Sequence, residues 1–90
     1  MIEKDPYEKL RVQLDQMNWP DVYFFKFIVP NDSELVARVT ALFDEGTDLR
    51  MQASKNGKYV SVGAKEMMMS AESVIDRYRE ASKINGLIAL

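Results

Sequence analysis

Thr47-Asp48-Leu49-Arg50-Met51-Gln52-Ala53-Ser54-Lys55-Asn56-Gly57-Lys58-Tyr59-Val60-Ser61-Val62-Gly63-Ala64-Lys65 is the stretch on which the fold turns. Up to Ser54 it alternates, with Leu49, Met51 and Ala53 on one side and Asp48, Arg50, Gln52 and Ser54 on the other. From Tyr59 it alternates again, with Val60, Val62 and Ala64 opposing Tyr59, Ser61, Gly63 and Lys65. A period of two places successive side chains on opposite faces of a strand. Asn56-Gly57 between the runs is the dipeptide preferred in a tight hairpin turn. The stretch therefore reads as an antiparallel hairpin.

Working back from the hairpin, Leu35, Val36, Val39, Leu42 and Phe43 recur on one helical face. Gly46 stands where a left-handed helix-ending residue is expected. Pro30-Asn31-Asp32-Ser33 breaks the preceding element and offers N-cap side chains. Val22 to Val29, dense in β-branched and aromatic residues, reads as a strand. Before it, Asp5-Pro6-Tyr7-Glu8 opens an amphipathic helix over 6–17 that carries Tyr7, Leu10, Leu14 and Met17, and Trp19-Pro20 ends it. Forward of the hairpin, Met67-Met68-Met69 is read as core-filling residues that close the connection into a helix. That helix is capped by Ser70 and carries Ala71, Val74, Ile75, Tyr78 and Ala81 on one face. Asn85-Gly86 stops it, and Leu87 to Leu90 forms a short last strand.

Helix followed by β-α-β-β-α-β has one dominant solution: a ferredoxin-like α+β two-layer sandwich. It has a four-stranded antiparallel sheet with two helices on one face, and an extra N-terminal helix. Right-handed crossovers put the first and third strands at the centre. The organisation expected is an N-terminal helix over 1–18 and the sandwich over 19–90. Tyr23, Phe25, Phe27 and Val29 should then face the helices together with Val60, Val62, Ala64, Leu49, Met51 and Ala53. Phe24, Lys26 and Ile28 should share the outer face with Tyr59, Ser61 and Lys65. An outer face that is half apolar invites a cover. The N-terminal helix is the preferred candidate and a second copy of the chain the other.

Composition narrows the chemistry. The 90 residues contain no Cys and no His, which removes disulfides, thiol catalysis, cysteine-based zinc sites and the commonest general base. No phosphate-loop, nucleophile-elbow or dinucleotide-binding glycine pattern occurs, so no catalytic residue, metal ligand or cofactor is assigned and an enzyme is not expected. Asp44, Glu45 and Asp48 read as solvated charges beside a helix end. The net charge of −2 disfavours nucleic acid. No run spans a bilayer and no export signal opens the chain, so a cytoplasmic location is expected.

Several motifs together resemble the YbeD-like family of small bacterial proteins. They are the aromatic-proline pair Trp19-Pro20, the aromatic-lysine pair Phe25-Lys26, and Ser54-Lys55-Asn56-Gly57-Lys58-Tyr59-Val60-Ser61-Val62. Tyr78 and Ile84 in the last helical segment complete the likeness, which runs from Trp19 to Leu90. Val29 departs from relatives that carry glycine there. The resemblance implies a sandwich similar to ACT-type regulatory domains and brings no established activity or catalytic residues.

The function expected is that of a regulatory or adaptor module contacting another protein. Its interaction surface would comprise Phe24, Lys26, Ile28, Lys55, Tyr59, Ser61 and Lys65, and self-pairing into a homodimer is compatible with it. The likeness to ACT-type domains implies a second reading, a sensor of a small metabolite such as an amino acid, with Asn31, Asp32 and Ser33 as the ligand loop. A third, weak RNA binding, rests on Phe24 and Tyr59 as outward aromatics, but the return strand lacks the aromatic spacing of RNA-recognition modules.

Overall fold

The structure, a computed structural model, describes residues 5–90. In chain order it contains α1 (Glu8–Asp15), β1 (Asp21–Pro30), α2 (Ser33–Thr40), β2 (Asp48–Ala53), β3 (Tyr59–Met68), α3 (Ala71–Ala81) and β4 (Ile88–Ala89). The strands form one sheet in the order β2-β3-β1-β4, with every neighbouring pair antiparallel. The first and third strands are central, and the element order is that of a ferredoxin-like sandwich.

Local chemistry explains the boundaries. Asp32 accepts hydrogen bonds at Oδ1 from the backbone N–H groups of Glu34 and Leu35, which start α2. Ser70 and Ser73 exchange side-chain and backbone bonds in a capping box that starts α3. Gly57, at φ +74°, supplies the left-handed residue of the hairpin turn. Gly86, at φ +75°, lies so close to Pro30 that a Cβ would come within 3.1 Å of the proline ring.

The pleat then sorts the side chains. Phe25 faces Ala64 across the central pair, Phe27 faces Val62 and Val29 faces Val60, and all six are buried. Val39 and Phe43 close over them from the α2 side, with Val74, Ile75, Ala81 and Ile84 from α3 and the segment after it. Phe25, Phe27, Phe43, Tyr23 and Tyr78 form an aromatic cluster with ring centroids from 4.8 to 6.3 Å apart. The Tyr23 and Tyr78 hydroxyls lie 3.0 Å apart, and burial together with this bond pushes the Tyr78 phenol above its ordinary pKa. Arg77 forms an ion pair with Glu66 across α3 and β3 while its guanidinium lies 5.2 Å from the Phe25 ring centroid.

Five local expectations need correction. α1 begins at Glu8 and ends at Asp15, not 6 and 17. Asp5 Oδ1 accepts from Tyr7 N and turns the chain before regular helix bonding starts, and i→i−3 bonds from Gln16 N to Gln13 O and from Met17 N to Leu14 O tighten the exit. Gly46 is not left-handed: α2 closes at Ala41, and bonds from Leu42 N to Val39 O and Phe43 N to Thr40 O carry the chain onward. β3 continues through Met68, so the alternation buries Met68 and leaves Met67 and Met69 in solvent. Met51 and Ala53 lie on the helix-side face but are exposed, because β2 is an edge strand and α2 packs on β1 and β3 instead.

Fifth, α1 lies elsewhere than over the outer face of the sheet. α1 packs against α3 and sends Leu14 into the core on the helix side of the sheet. Trp19 Nε1 donates to Leu14 O at 3.0 Å, and Arg11 pairs with Glu72 of α3. Among the described residues the buried apolar cluster lies between sheet and helices, and Leu14 belongs to it. α1 therefore does not cover the outer face.

The α1–α3 contact should be acid-sensitive. The Arg11 hydrogen bond, then that of Arg79, holds the Glu72 carboxyl below its ordinary pKa of 4.5. A carboxylate with a lowered folded-state pKa contributes stability above its unfolded value and loses it as pH falls through the folded value. Acidification below about pH 4.5 should therefore loosen α1, read by the emission of Trp19 at its exit. Glu72→Gln should show a smaller acid shift; a wild-type emission flat down to acid unfolding would refute the coupling.

Candidate functional site

The outer face is built by register. Across β2, β3 and β1, one row is Asp48, Lys65 and Phe24, the next Arg50, Gly63 and Lys26, and the third Gln52, Ser61 and Ile28. β4 extends the third row with Ile88. Leu90 N donates to Lys26 O, bringing the chain end alongside the second row. Phe24 is 68% exposed, Leu90 64% and Ile88 52%, so large apolar groups stand in water on this side of the sheet.

Two shallow hollows mark the face. The first, about 370 Å³, is lined by Phe24, Asp48, Arg50, Gly63, Ala64 and Lys65. The Lys65 ammonium sits 5.4 Å from the Phe24 ring centroid. The second, about 400 Å³, is lined by Ile28, Gln52, Ala53, Ser54, Lys55, Tyr59 and Ser61. Ser61 Oγ donates to Gln52 O at 3.3 Å, and Tyr59 N donates to Ser54 Oγ at 3.1 Å, which holds the hairpin end of this hollow.

The structure thus gathers the expected surface residues on one side. Phe24 and Lys65 share the first hollow, Ile28, Lys55, Tyr59 and Ser61 share the second, and Lys26 stands opposite Gly63. Asn31, Asp32 and Ser33 line neither hollow. Asn31 Nδ2 donates to Gly57 O at 2.8 Å, and Asp32 Oδ1 caps α2. Arg50, Gly63, Ile88 and Leu90 are additions to the face. The alternation of β2 and β3 already turned Arg50 and Gly63 outward, whereas the pairing of a two-residue β4 with β1 has no local signature.

Charge is segregated as well. Lys26, Arg50, Lys55 and Lys65 on this face, against Asp48, form no ion pair among the described residues. Arg11, Arg38, Arg77, Arg79 and Lys83 are all paired with carboxylates from α1, α2, α3, β3 or their flanks. Among the described residues, no helix is long and apolar enough to cross a membrane.

Fold and face together define a ferredoxin-like α+β sandwich in which no element of the described residues covers one side of the sheet. The chain belongs to the YbeD-like family: residues 15–90 match the family described as protein of unknown function (DUF493). No curated protein and no solved structure matches it.

Proposed function

We propose that this domain works by binding, as a regulatory or adaptor module that engages another protein through the outer face of its sheet and performs no chemistry of its own. The observation that carries this reading is the exposure of Phe24, Ile88 and Leu90 beside unpaired Lys26 and Lys65 on a surface that α1 leaves open. Contiguous apolar groups rimmed by polar ones mark interaction sites on soluble domains. Aromatic side chains and arginine are enriched at protein interfaces, and Phe24 and Arg50 line the same hollow here. The sensor reading gains less, since Asn31 Nδ2 holds the hairpin turn, Asp32 Oδ1 caps α2, and Asn31, Asp32 and Ser33 line neither hollow.

The test is affinity capture from native lysate with wild type and the Phe24→Asp/Tyr59→Asp variant, both verified as folded. Loss of the specific partners from the variant is expected. Identical partner lists would overturn the assignment to this face.

A further inference from the structure

We infer that the partner presents an extended acidic-apolar segment, whose carboxylate seats over Gly63 between Arg50, Lys65 and Lys26 while an apolar side chain enters the Ile28–Tyr59 hollow. This rests on the reading of the outer face as a protein-binding surface and adds the chemistry of what binds.

Gly63 is the first support. It lies mid-strand in β3, where glycine weakens a strand and often marks close approach of another chain. Its backbone does not need glycine: φ is not positive, and an added Cβ would meet nothing nearer than 3.8 Å. The missing side chain leaves a floor of bare backbone, with Arg50 opposite on β2 and Lys26 opposite on β1. Lys65, two residues along the same face, borders the same hollow.

Charge chooses the occupant. Among the described residues, Lys26, Arg50, Lys55 and Lys65 oppose only Asp48 here, while in the whole sequence the other eight Lys and Arg are outnumbered by the other thirteen Asp and Glu. A second copy placed face to face would set like charges against one another, which disfavours that pairing. A copy offering a carboxylate-bearing part of its remaining surface would leave its own sheet open, so each copy would recruit a further one into a ring or a filament. A separate acidic segment satisfies the cations without either problem. Gly63 and Tyr59 are four residues apart on one strand, about 13 Å at the rise of an extended chain. A carboxylate and an apolar group four residues apart in an extended ligand match that spacing.

The experiment selects random twelve-residue displayed peptides on the full chain, then measures the winners by fluorescence anisotropy. Enrichment of peptides with Asp or Glu four residues from a large apolar residue is expected, with affinity falling as salt rises. Gly63→Val, which fills the hollow with a strand-favouring side chain, should weaken the winners at least tenfold. Arg50→Glu on the exposed edge strand should do the same and serves if Gly63→Val fails to fold. Neutral or basic winners, unchanged affinity in the folded variants, or stronger binding of a single-stranded oligouridylate than of any peptide would each overturn the inference. Basic winners lost on Phe24→Asp/Tyr59→Asp would leave the protein-binding face standing and remove only its acidic preference. Winners that ignore this double variant too would remove both.

Discussion

Phe27→Ala should destabilise the domain by about 3–5 kcal/mol, the usual consequence of deleting a fully buried aromatic ring. Phe27 is 0% exposed and lies at the centre of the aromatic cluster, 6.1 Å from Phe43 and 5.8 Å from Tyr78 between ring centroids. Cavity formation adds to the lost transfer energy because Val62 across the sheet and Phe43 below can relax only in part. Domains of this size typically hold about 5–15 kcal/mol in total, so much of the margin disappears. Urea unfolding should show a lower midpoint with an unchanged slope. Phe24→Asp on the opposite face of the same strand provides the control: the Phe24 ring is largely in solvent, and the unfolding free energy should fall by about 1 kcal/mol or less. Equal losses in the two variants would contradict the assignment of faces in β1.

Leu14→Ala should cost about 2–5 kcal/mol, and it tests where α1 belongs. A helix of eight residues is marginal by itself in water, so α1 persists through what it docks against. Leu14 is 2% exposed and is the buried anchor of that docking, with Tyr7, Leu10 and Met17 partly buried against the core, Trp19 Nε1 bonded to Leu14 O, and Arg11 paired with Glu72. The expected signature is a Trp19 emission change at lower urea than the loss of sheet signal, because α1 can leave while the central strands remain paired. An unchanged midpoint would mean that Leu14 makes no contact with the core.

The hairpin, the two faces of β1 and the caps at Asp32 and Ser70 were legible in the sequence because each depends on neighbours within a few residues. Two-residue alternation, Asn56-Gly57 and a short polar side chain before a helix are local statements about backbone geometry. The candidate face was legible for the same reason: Phe24, Lys26 and Ile28 alternate with Phe25, Phe27 and Val29, and only one of the two sets is wholly apolar.

The errors have a common physical origin. Amphipathic α1 shows that one side must be buried, but a hydrophobic stripe carries no direction, and both faces of the sheet offered apolar surface. Leu14 goes to the helix side because α3 packs against α1 there, with the Trp19 bond to Leu14 O and the Arg11–Glu72 pair to orient the approach. Met51 alternates as a buried residue would, yet an edge strand has no helix above it. The Glu66–Arg77 pair was also invisible, since a glutamate on the core side of β3 is intelligible only when a cation from α3 reaches it.

Element order, strand faces and the want of Cys and His therefore belong to the sequence alone, being properties of short windows or of composition. The tertiary structure decided that α1 joins the helices, that Arg50, Gly63, Lys26 and Lys65 are brought together across three strands, and that no element of the described residues covers the outer face. Those outcomes arise from contacts between residues distant in the chain, and short-range periodicity contains no information about which distant surface will close over which.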